Sequence, residues 1–358
     1  MASFQKFLHV GIALDPIHVG TGGARIGRVD LTIVRDPVTR VPKIPGSSLA
    51  GVYRTYVAMA ETEANPNRMV NGRDWPCYPH CAGLGQARDN YLGHCGQPDC
   101  PVCTVFGFAR GKDQAGGFAG LAAFSDAHVL LFPVPTRRGP HWVTCPMALQ
   151  LVGLEVKEVH ENAVYWKDGS PDRPLNLGWL LLPVKKCESY GSIQSNLQDL
   201  CVPGYILDRL AILPDHLFIH VVNSNLEVRT SVSINPETGA AEEKALFSYE
   251  ALPRTTVLVW EVIAKNPRHF KIGGQDVNVT LSSGQKMDDP NKVLEVTKQA
   301  HPYLEHLGVG GMGTRGMGRL KVLCSKQQDV QGEAVSCQGK PGQPEAKPER
   351  EVNHESAS

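Results

Sequence analysis

The sequence predicts an α+β fold in which helices cover one face of an antiparallel sheet. Candidate strands and helices follow one another in the order strand, helix, several strands, helix, strand, which is typical of the split βαβ arrangement of ferredoxin-like proteins. The 358 residues, 42% of them hydrophobic, are enough for one large elaborated domain or two smaller ones. We predict a single domain over residues 1–324.

The first elements can be assigned in chain order. "FLHVGIAL" alternates apolar and other residues, as a half-buried strand does. A glycine-rich loop and a second strand at residues 29–34 follow it. The prolines and glycine of "RDPVTRVPKIPG" predict a turn, after which Ser47 or Ser48 caps a helix. Apolar residues recur at helical spacing along that helix: Leu49, Val52, Tyr53, Tyr56 and Val57.

The later elements are assigned in the same way. Residues 155–215 mix polar loops with apolar stretches and are interpreted as a variable insertion. Residues 228–256 are predicted to form two strands joined by a long polar arm. "DPNKVLEVTKQAHPYLEHLG" is predicted to be a helix, and a glycine-rich turn then leads into the last strand. Residues 325–358 are rich in Gln, Pro, Lys and Glu, which predicts a disordered tail.

Composition narrows the classes of protein. The net charge is zero, with 36 basic and 36 acidic residues, so bulk charge does not indicate a nucleic-acid partner. Residues 1–54 are nevertheless locally basic, with seven Lys or Arg against three acids. No apolar run reaches the roughly 18 residues that a membrane span needs, and the N-terminus lacks the pattern of a signal peptide. We therefore expect a cytoplasmic protein with no membrane partner.

The most specific local signal is a cluster of cysteines between residues 77 and 103. Reduced thiols in a cytoplasmic chain favour metal binding over disulfides, and a two-residue gap lets two thiolates reach one zinc ion. Residues 74–106 are therefore predicted to be an insertion held by structural zinc. Five candidates exceed four ligands, so the pattern does not say which four bind: Cys77, Cys81, Cys95, Cys100 and Cys103. The alternative is a set of adventitious thiols.

The C-terminal segment "GVGGMGTRGMG" superficially suggests a nucleotide loop. A dinucleotide fingerprint should follow a strand and open a helix, whereas here a helix precedes and a strand follows. Bare glycine backbone at Gly310 and Gly311, with the charges of Arg315 and Arg319, better suits the phosphates of RNA. The alternative is a tight connection without a ligand.

Three separated segments resemble the RAMP superfamily: "GRVDLTIVRDPVTRVPKIPGSSLAG", "SINPETGAAEEKALFSYEALPRTTV" and "LGVGGMGTRGMGRLKV". They are similar to the repeated, guide-RNA-binding (crRNA-binding) backbone subunit of type III CRISPR effector complexes, and they occur in the right order. "LFPVPTRRGPHWVTCP" resembles the III-B version, and the cysteine segment resembles the III-A and III-D versions equally well. The resemblance implies a modified RNA-recognition fold, in which residues 228–256 form a thumb hairpin that flips a target nucleotide out.

The resemblance also implies roles for particular residues. Asp30 stands where an aspartate of such subunits cleaves target RNA by attack of a ribose 2′-hydroxyl, supported by Mg²⁺ or another divalent cation. His18, Tyr249 and Glu250 fall in segments near that position. The basic and glycine-rich loops imply contacts with the guide: Arg25, Arg28, Lys43, Ser47, Ser48, Arg54, Gly310, Gly311, Arg315 and Arg319. Alternatively, Asp30 is a salt-bridge partner of Arg28 or Arg35.

Three functions follow as hypotheses. The first is an endoribonuclease subunit that works with crRNA, single-stranded target RNA, other effector subunits and copies of itself. The second is a scaffold or capping subunit that binds RNA and cuts nothing. The third is a zinc-stabilised protein-interaction module, against which the two basic, glycine-rich loops count.

Overall fold

The computed structural model of the chain describes residues 2–22, 29–83, 93–109, 116–242 and 246–328. Its strands are β1 Phe4–Ala13, β2 Lys43–Ile44, β3 Met69–Val70, β4 Arg73–Asp74, β5 Ala122–Phe124, β6 Ala127–Val134, β7 His141–Thr144, β8 Val164–Trp166, β9 Ser170–Leu177, β10 Leu180–Lys186, β11 Leu210–Ile212, β12 Glu227–Ser231, β13 Phe247–Ala251, β14 Val257–Lys265, β15 Lys271–Ile272, β16 Gln275–Asp276 and β17 Leu320–Gln328. Its α-helices are α1 Gly46–Ala64, α2 Cys77–His80, α3 Pro101–Phe106, α4 Pro146–Gln150, α5 Tyr190–Asp199, α6 Gly204–Leu207, α7 Asp215–Ser224, α8 Pro290–Lys298 and α9 His301–His306. In these ranges no helix is long and apolar enough to cross a bilayer.

One large sheet organises the chain. Its strand order is β17-β1-β14-β6-β7-β11-β8-β10-β9, with β2 on β6 and β5 on β14. Strand β1 lies between β14 and β17 and is antiparallel to both, so the first and last strands are neighbours. The sheet is mixed, because β7 pairs parallel to β11 and β8 parallel to β10. The α+β class is confirmed, and the sheet is larger than the simple split βαβ unit.

Both faces of the sheet are apolar, so the expectation of helices on one face is wrong. Alternate residues of β1 enter different cores: Phe7 joins the cluster under α1, α7 and α8, whereas Leu8 joins the one under α5 and α6. The period of two in a strand sends neighbouring side chains to opposite faces. Gly11 leaves room for the Trp260 ring, since a Cβ there would lie 3.0 Å from it.

Several predicted boundaries are corrected. Helix α1 begins at Gly46 after Pro45, and no side chain caps it; Asp126 instead accepts the Gly46 N–H at 2.7 Å, so Ser47 and Ser48 are not caps. Residues 29–34 form isolated bridges rather than a strand.

The C-terminal boundaries also differ from the prediction. The predicted helix at 289–308 is two helices, α8 and α9, because proline at position 302 has no N–H to continue the ladder of α8. Strand β17 runs to Gln328, past the predicted start of the tail; residues 329–358 lie outside the described residues.

Residues 155–215 extend the main sheet. They supply β8, β9, β10 and β11, and α5 and α6 cover one face through Tyr190, Ile193 and Ile206. This segment is therefore built into the second core. Whether it is an insertion relative to other proteins stays a prediction.

Strands β12 and β13 form a separate two-stranded antiparallel sheet, in the register Glu227↔Ala251 to Ser231↔Phe247. Beyond it, Ile234 and Ala241 form an isolated bridge. The predicted pair of strands with an arm is present at these positions. We call residues 227–251 the hairpin.

Candidate functional site

Asp30 lies on the surface, held against the base of the hairpin. Its Oδ2 accepts the backbone N–H of Ser248 at 2.7 Å and the Ser248 hydroxyl at 2.9 Å. Its own N–H donates to Ser248 Oγ at 3.2 Å. Because two donors favour the charged form, the pKa of Asp30 is lowered from its ordinary value, first by the Ser248 N–H and then by its hydroxyl. The site therefore offers an ionised carboxylate in a fixed position.

The salt-bridge alternative for Asp30 fails for Arg35. Arg35 instead pairs with Glu250 at 2.9 Å and donates to the Asn223 side chain at 2.9 Å. Arg28, together with Arg25, lies outside the described residues. Sequence reasoning missed Ser248, although it directly precedes two predicted site residues.

His18, Tyr249 and Glu250 are brought together as predicted. His18 Nδ1 lies 2.6 Å from the Glu250 carbonyl oxygen, so it carries the proton, because a carbonyl only accepts. The His18 ring meets the Tyr249 ring edge-on, with centroids 6.0 Å apart. Leu31, next to Asp30, forms a bridge with Tyr249. The four candidate catalytic residues thus converge on the junction between the hairpin and the segment after Asp30.

The C-terminal glycine loop closes on the same region. The Gly311 N–H donates to the His18 carbonyl at 2.8 Å. Gly310 has a φ of +88°, and a Cβ there would lie 2.3 Å from that carbonyl oxygen. The guanidinium of Arg315 sits over the Phe247 ring, 5.3 Å from its centroid. The C-terminal glycine loop and the start of the first glycine-rich loop are therefore neighbours in space.

The predicted RNA-binding cations differ in how exposed they are and in whether a carboxylate pairs with them. Arg315 and Arg319 are exposed, and Arg319 pairs with Asp15. Lys43 is held by two carboxylates, at 2.6 Å to Asp126 and 3.4 Å to Asp36, so its charge is already balanced within the chain.

Arg54 has partners within the chain that the sequence did not indicate, and its contact with RNA stays a prediction. It donates to the backbone carbonyls of Cys81 and Gly107, and burial is the first cause that lowers its pKa. It therefore fastens the cysteine segment to α1. Ser47 is exposed and Ser48 is half-buried at the first turn of α1, where backbone N–H groups favour anions.

Four of the five candidate cysteines form one compact group. The sulfur atoms of Cys81, Cys95, Cys100 and Cys103 all lie within 4.8 Å of one another, and Cys95 and Cys103 are 3.6 Å apart. Zn–S bonds of about 2.3 Å in a tetrahedron place sulfurs about 3.8 Å apart, so the group fits zinc. Cys77 is buried beside the group but does not belong to the four.

This α+β sheet carries a fixed, exposed carboxylate, two glycine loops and a hairpin. Together these features define a class of protein. The chain belongs to the RAMP superfamily, whose family model matches residues 12–321. A curated relative, the CRISPR system Cmr endoribonuclease Cmr4 of Pyrococcus furiosus, is 25% identical over 338 residues, covering 89% of this chain and 95% of the relative. The CRISPR system Cms endoribonuclease Csm3 of Methanothermobacter thermautotrophicus is 34% identical over 110 residues, 31% of this chain and 32% of the relative.

Solved structures share the fold. A chain of the type III-B Cmr-beta bound to cognate target RNA superposes with a TM-score of 0.57 at 16% identity, over 90% of this chain and 98% of that one. The crystal structure of Cmr4 gives a TM-score of 0.52 at 19% identity, over 90% and 99% of the two chains. At these identities the likeness concerns the fold.

Proposed function

We propose that the chain is a crRNA-binding backbone subunit of a type III CRISPR ribonucleoprotein and cleaves complementary target RNA. Membership of the superfamily and the endoribonuclease names of its relatives support this activity. The observation that carries the proposal is the Asp30 carboxylate, which Ser248 fixes in ionised form against β13, the strand that also carries Tyr249 and Glu250. A pure scaffold has no need of such a group.

The carboxylate acts on the attacking 2′-hydroxyl. Both Ser248 bonds end on Oδ2, which leaves Oδ1 to accept the hydroxyl proton or to bind a cation. Since His18 Nδ1 carries a proton, the Nε2 of a neutral ring holds the lone pair. Gly20 makes room there, because a Cβ at position 20 would lie 3.0 Å from Nε2. His18 is thus a second group able to accept or return a proton.

A divalent cation fits this site only with help from RNA. At this site the described residues contribute one exposed carboxylate, that of Asp30. The group of described side chains that could hold a metal ion on its own consists of cysteines. A Mg²⁺ ion commonly binds one or two carboxylates together with phosphate oxygens and water, so Asp30 would hold it with the target. When bound, such an ion neutralises charge that develops on the phosphate.

Structural zinc is the second cofactor that we propose. Cys81, Cys95, Cys100 and Cys103 would hold it, and the guanidinium of Arg68, 3.6 Å from Cys95 Sγ, would offset the thiolate charge. The tie from Arg54 to the Cys81 carbonyl joins the same segment to α1. Zinc would then stabilise the cysteine segment and have no part in cleavage.

Asp30→Asn tests the proposed function. It keeps the shape of the side chain but removes the charge, so cleavage of target RNA by the assembled complex should fall by about two orders of magnitude or more. Target binding should persist, because a negative charge next to phosphates is removed. Asp199→Asn, at the exposed end of α5, is the matched control and should cut normally. Cleavage at the wild-type rate by an assembled Asp30→Asn complex would leave the chain as a scaffold.

A further inference from the structure

Four arginines from three separate segments meet on one exposed surface. Arg137 and Arg138 lie in the loop between β6 and β7, Arg173 lies on β9, and Arg209 precedes β11; all four are exposed. The Arg209 guanidinium donates to the Arg138 carbonyl at 2.8 Å, and the Arg138 guanidinium donates to the Arg173 carbonyl at 2.9 Å. These two bonds therefore join the three segments that carry the four arginines.

These charges have no acidic partner in the part of the chain that the structure describes. Among the side chains that the structure describes, none of the four guanidinium groups has a carboxylate within 4.0 Å, whereas Arg35, Lys43 and Arg319 each have one. Like charges held close together repel one another. A cluster of this kind is typical of a surface whose counter-charge comes from a ligand.

An aromatic side chain lies on the same hairpin as Arg173. Trp179, in the turn between β9 and β10, is 92% exposed, and Leu181 is 63% exposed. The Arg137 N–H donates to the Asn176 side chain at 2.9 Å, and Asn176 pairs across the strands with Leu181. The loop that carries Arg137 is therefore fixed to the end of the β9–β10 hairpin that presents the indole.

The surface is joined to the Asp30 region through one contact. Trp142 is the second residue of β7, after the arginine loop of residues 135–140, and its indole donates to the Thr255 carbonyl at 3.0 Å. Thr255 lies between the hairpin and β14, next to exposed Arg254. This contact thus links β7 to the chain segment that follows the hairpin and carries one further exposed cation, Arg254.

We propose a further binding site for single-stranded RNA, which we call the arginine surface. It consists of Arg137, Arg138, Arg173, Arg209 and Trp179. Guanidinium groups neutralise phosphates, and an exposed indole stacks on a base without regard to sequence. The inference rests on the proposed function for the presence of RNA, but it concerns residues outside the cleavage site. It assigns the arginine loop and the β9–β10 hairpin to binding of the RNA backbone.

The test measures binding of an unstructured RNA, about 30 nucleotides long, by the full chain at several salt concentrations. Arg137→Ala/Arg173→Ala suits it, because neither side chain has a hydrogen bond or ion pair among the described residues, so the fold should persist. Loss of two phosphate contacts should reduce the slope of log Kd against log salt by about 1.4. Trp179→Ala should weaken binding about tenfold with little change in slope. Lys271→Ala/Lys298→Ala removes two charges elsewhere and should bind like wild type.

Each outcome is distinct from failure of the proposed function. Wild-type affinity and slope in both arginine-surface variants would overturn the inference, whatever Asp30→Asn does. RNA binding that is unchanged while copies of the chain no longer associate in sedimentation would also overturn it, since the surface would then be a protein interface. If Asp30→Asn still cuts while the salt slope falls as expected, the cleavage proposal fails and the arginine surface stands.

Discussion

At the scale of single residues, the partners of each charge separate structural groups from functional ones. Glu250 is satisfied by Arg35, and Lys43 by Asp36 and Asp126. Among the described residues Asp30 receives only the neutral donors of Ser248, so no cation of that part of the chain balances its negative charge. A carboxylate that is fixed but not neutralised is what general-base or cation-assisted chemistry requires.

Glycine at position 310 provides a prediction at this scale. Gly310→Ala places a methyl group 2.3 Å from the His18 carbonyl oxygen at a φ of +88°, so the loop must move away from His18. We expect the unfolding free energy to fall by about 2 kcal/mol or more and target cleavage to fall with it. Thermal melting and a cleavage assay measure the two effects.

Gly313→Ala is the matched control. Gly313 lies in the same loop and has no positive φ, and a methyl group added there would meet no atom within 4 Å. This variant should therefore melt and cut like wild type. Equal effects of the two substitutions would show that the contact between Gly310 and His18 has no special role.

At the scale of elements, the cysteine spacing predicted the metal group but not its membership. The gap between Cys100 and Cys103 is local and can be read from the sequence, because both thiols follow one turn of chain at the start of α3. The choice between Cys77 and Cys81 depends on how α2 packs against α1, which is a tertiary contact. The partners of Arg54 could not be predicted for the same reason, since its basic charge is visible in the sequence and its carbonyl partners are not.

Substitution of single cysteines tests the zinc group. Cys103→Ser removes one of four ligands, so bound zinc should fall from about one ion per chain to far less, and residues 74–83 should exchange amide protons faster. Cys77→Ser should retain zinc, because Cys77 is outside the compact four. Cys145→Ser, a buried cysteine elsewhere, controls for loss of a thiol. Elemental analysis after dialysis measures the zinc; its loss in Cys77→Ser but not in Cys103→Ser would contradict the assignment.

At the scale of the whole molecule, the α+β class could be predicted, because the first strand and the main helices have clear apolar patterns. The second core, under α5 and α6, could not be predicted. Residues 155–215 alternate weakly, and their strands acquire a buried face only when β11 pairs with β7 and β8. Such long-range pairing is set by tertiary packing rather than by local preference.

Two histidines beside the core under α1, buried His9 and half-buried His301, make the stability of the whole fold depend on pH. Burial lowers the pKa of His9 to about 3, with His301 as the next cause, and lowers the pKa of His301 to about 4. His9 stacks on Trp260 with ring centroids 5.5 Å apart, and its Nε2 has no partner among the described residues. Both rings are therefore neutral in the folded chain.

Stability should consequently fall as the pH is lowered. As the pH falls, each histidine binds a proton in the unfolded chain, where its pKa is near 6.5, before it does so in the folded chain. The contribution of the neutral rings to the unfolding free energy is therefore fully present above about pH 6.5 and declines toward pH 4 and 3. Between pH 6.5 and 5 we expect a loss of up to about 2 kcal/mol per histidine. Urea unfolding at pH 7.5, 6.5, 5.5 and 5.0 measures this loss.

Two variants test which group is responsible. His9→Phe keeps an aromatic ring against Trp260 and removes the titrating group, so the stability of this variant should decline less steeply with falling pH, whereas exposed His216→Gln should keep the wild-type slope. A His9→Phe chain that loses stability as steeply as wild type over this range would show that the buried ring is not the group responsible.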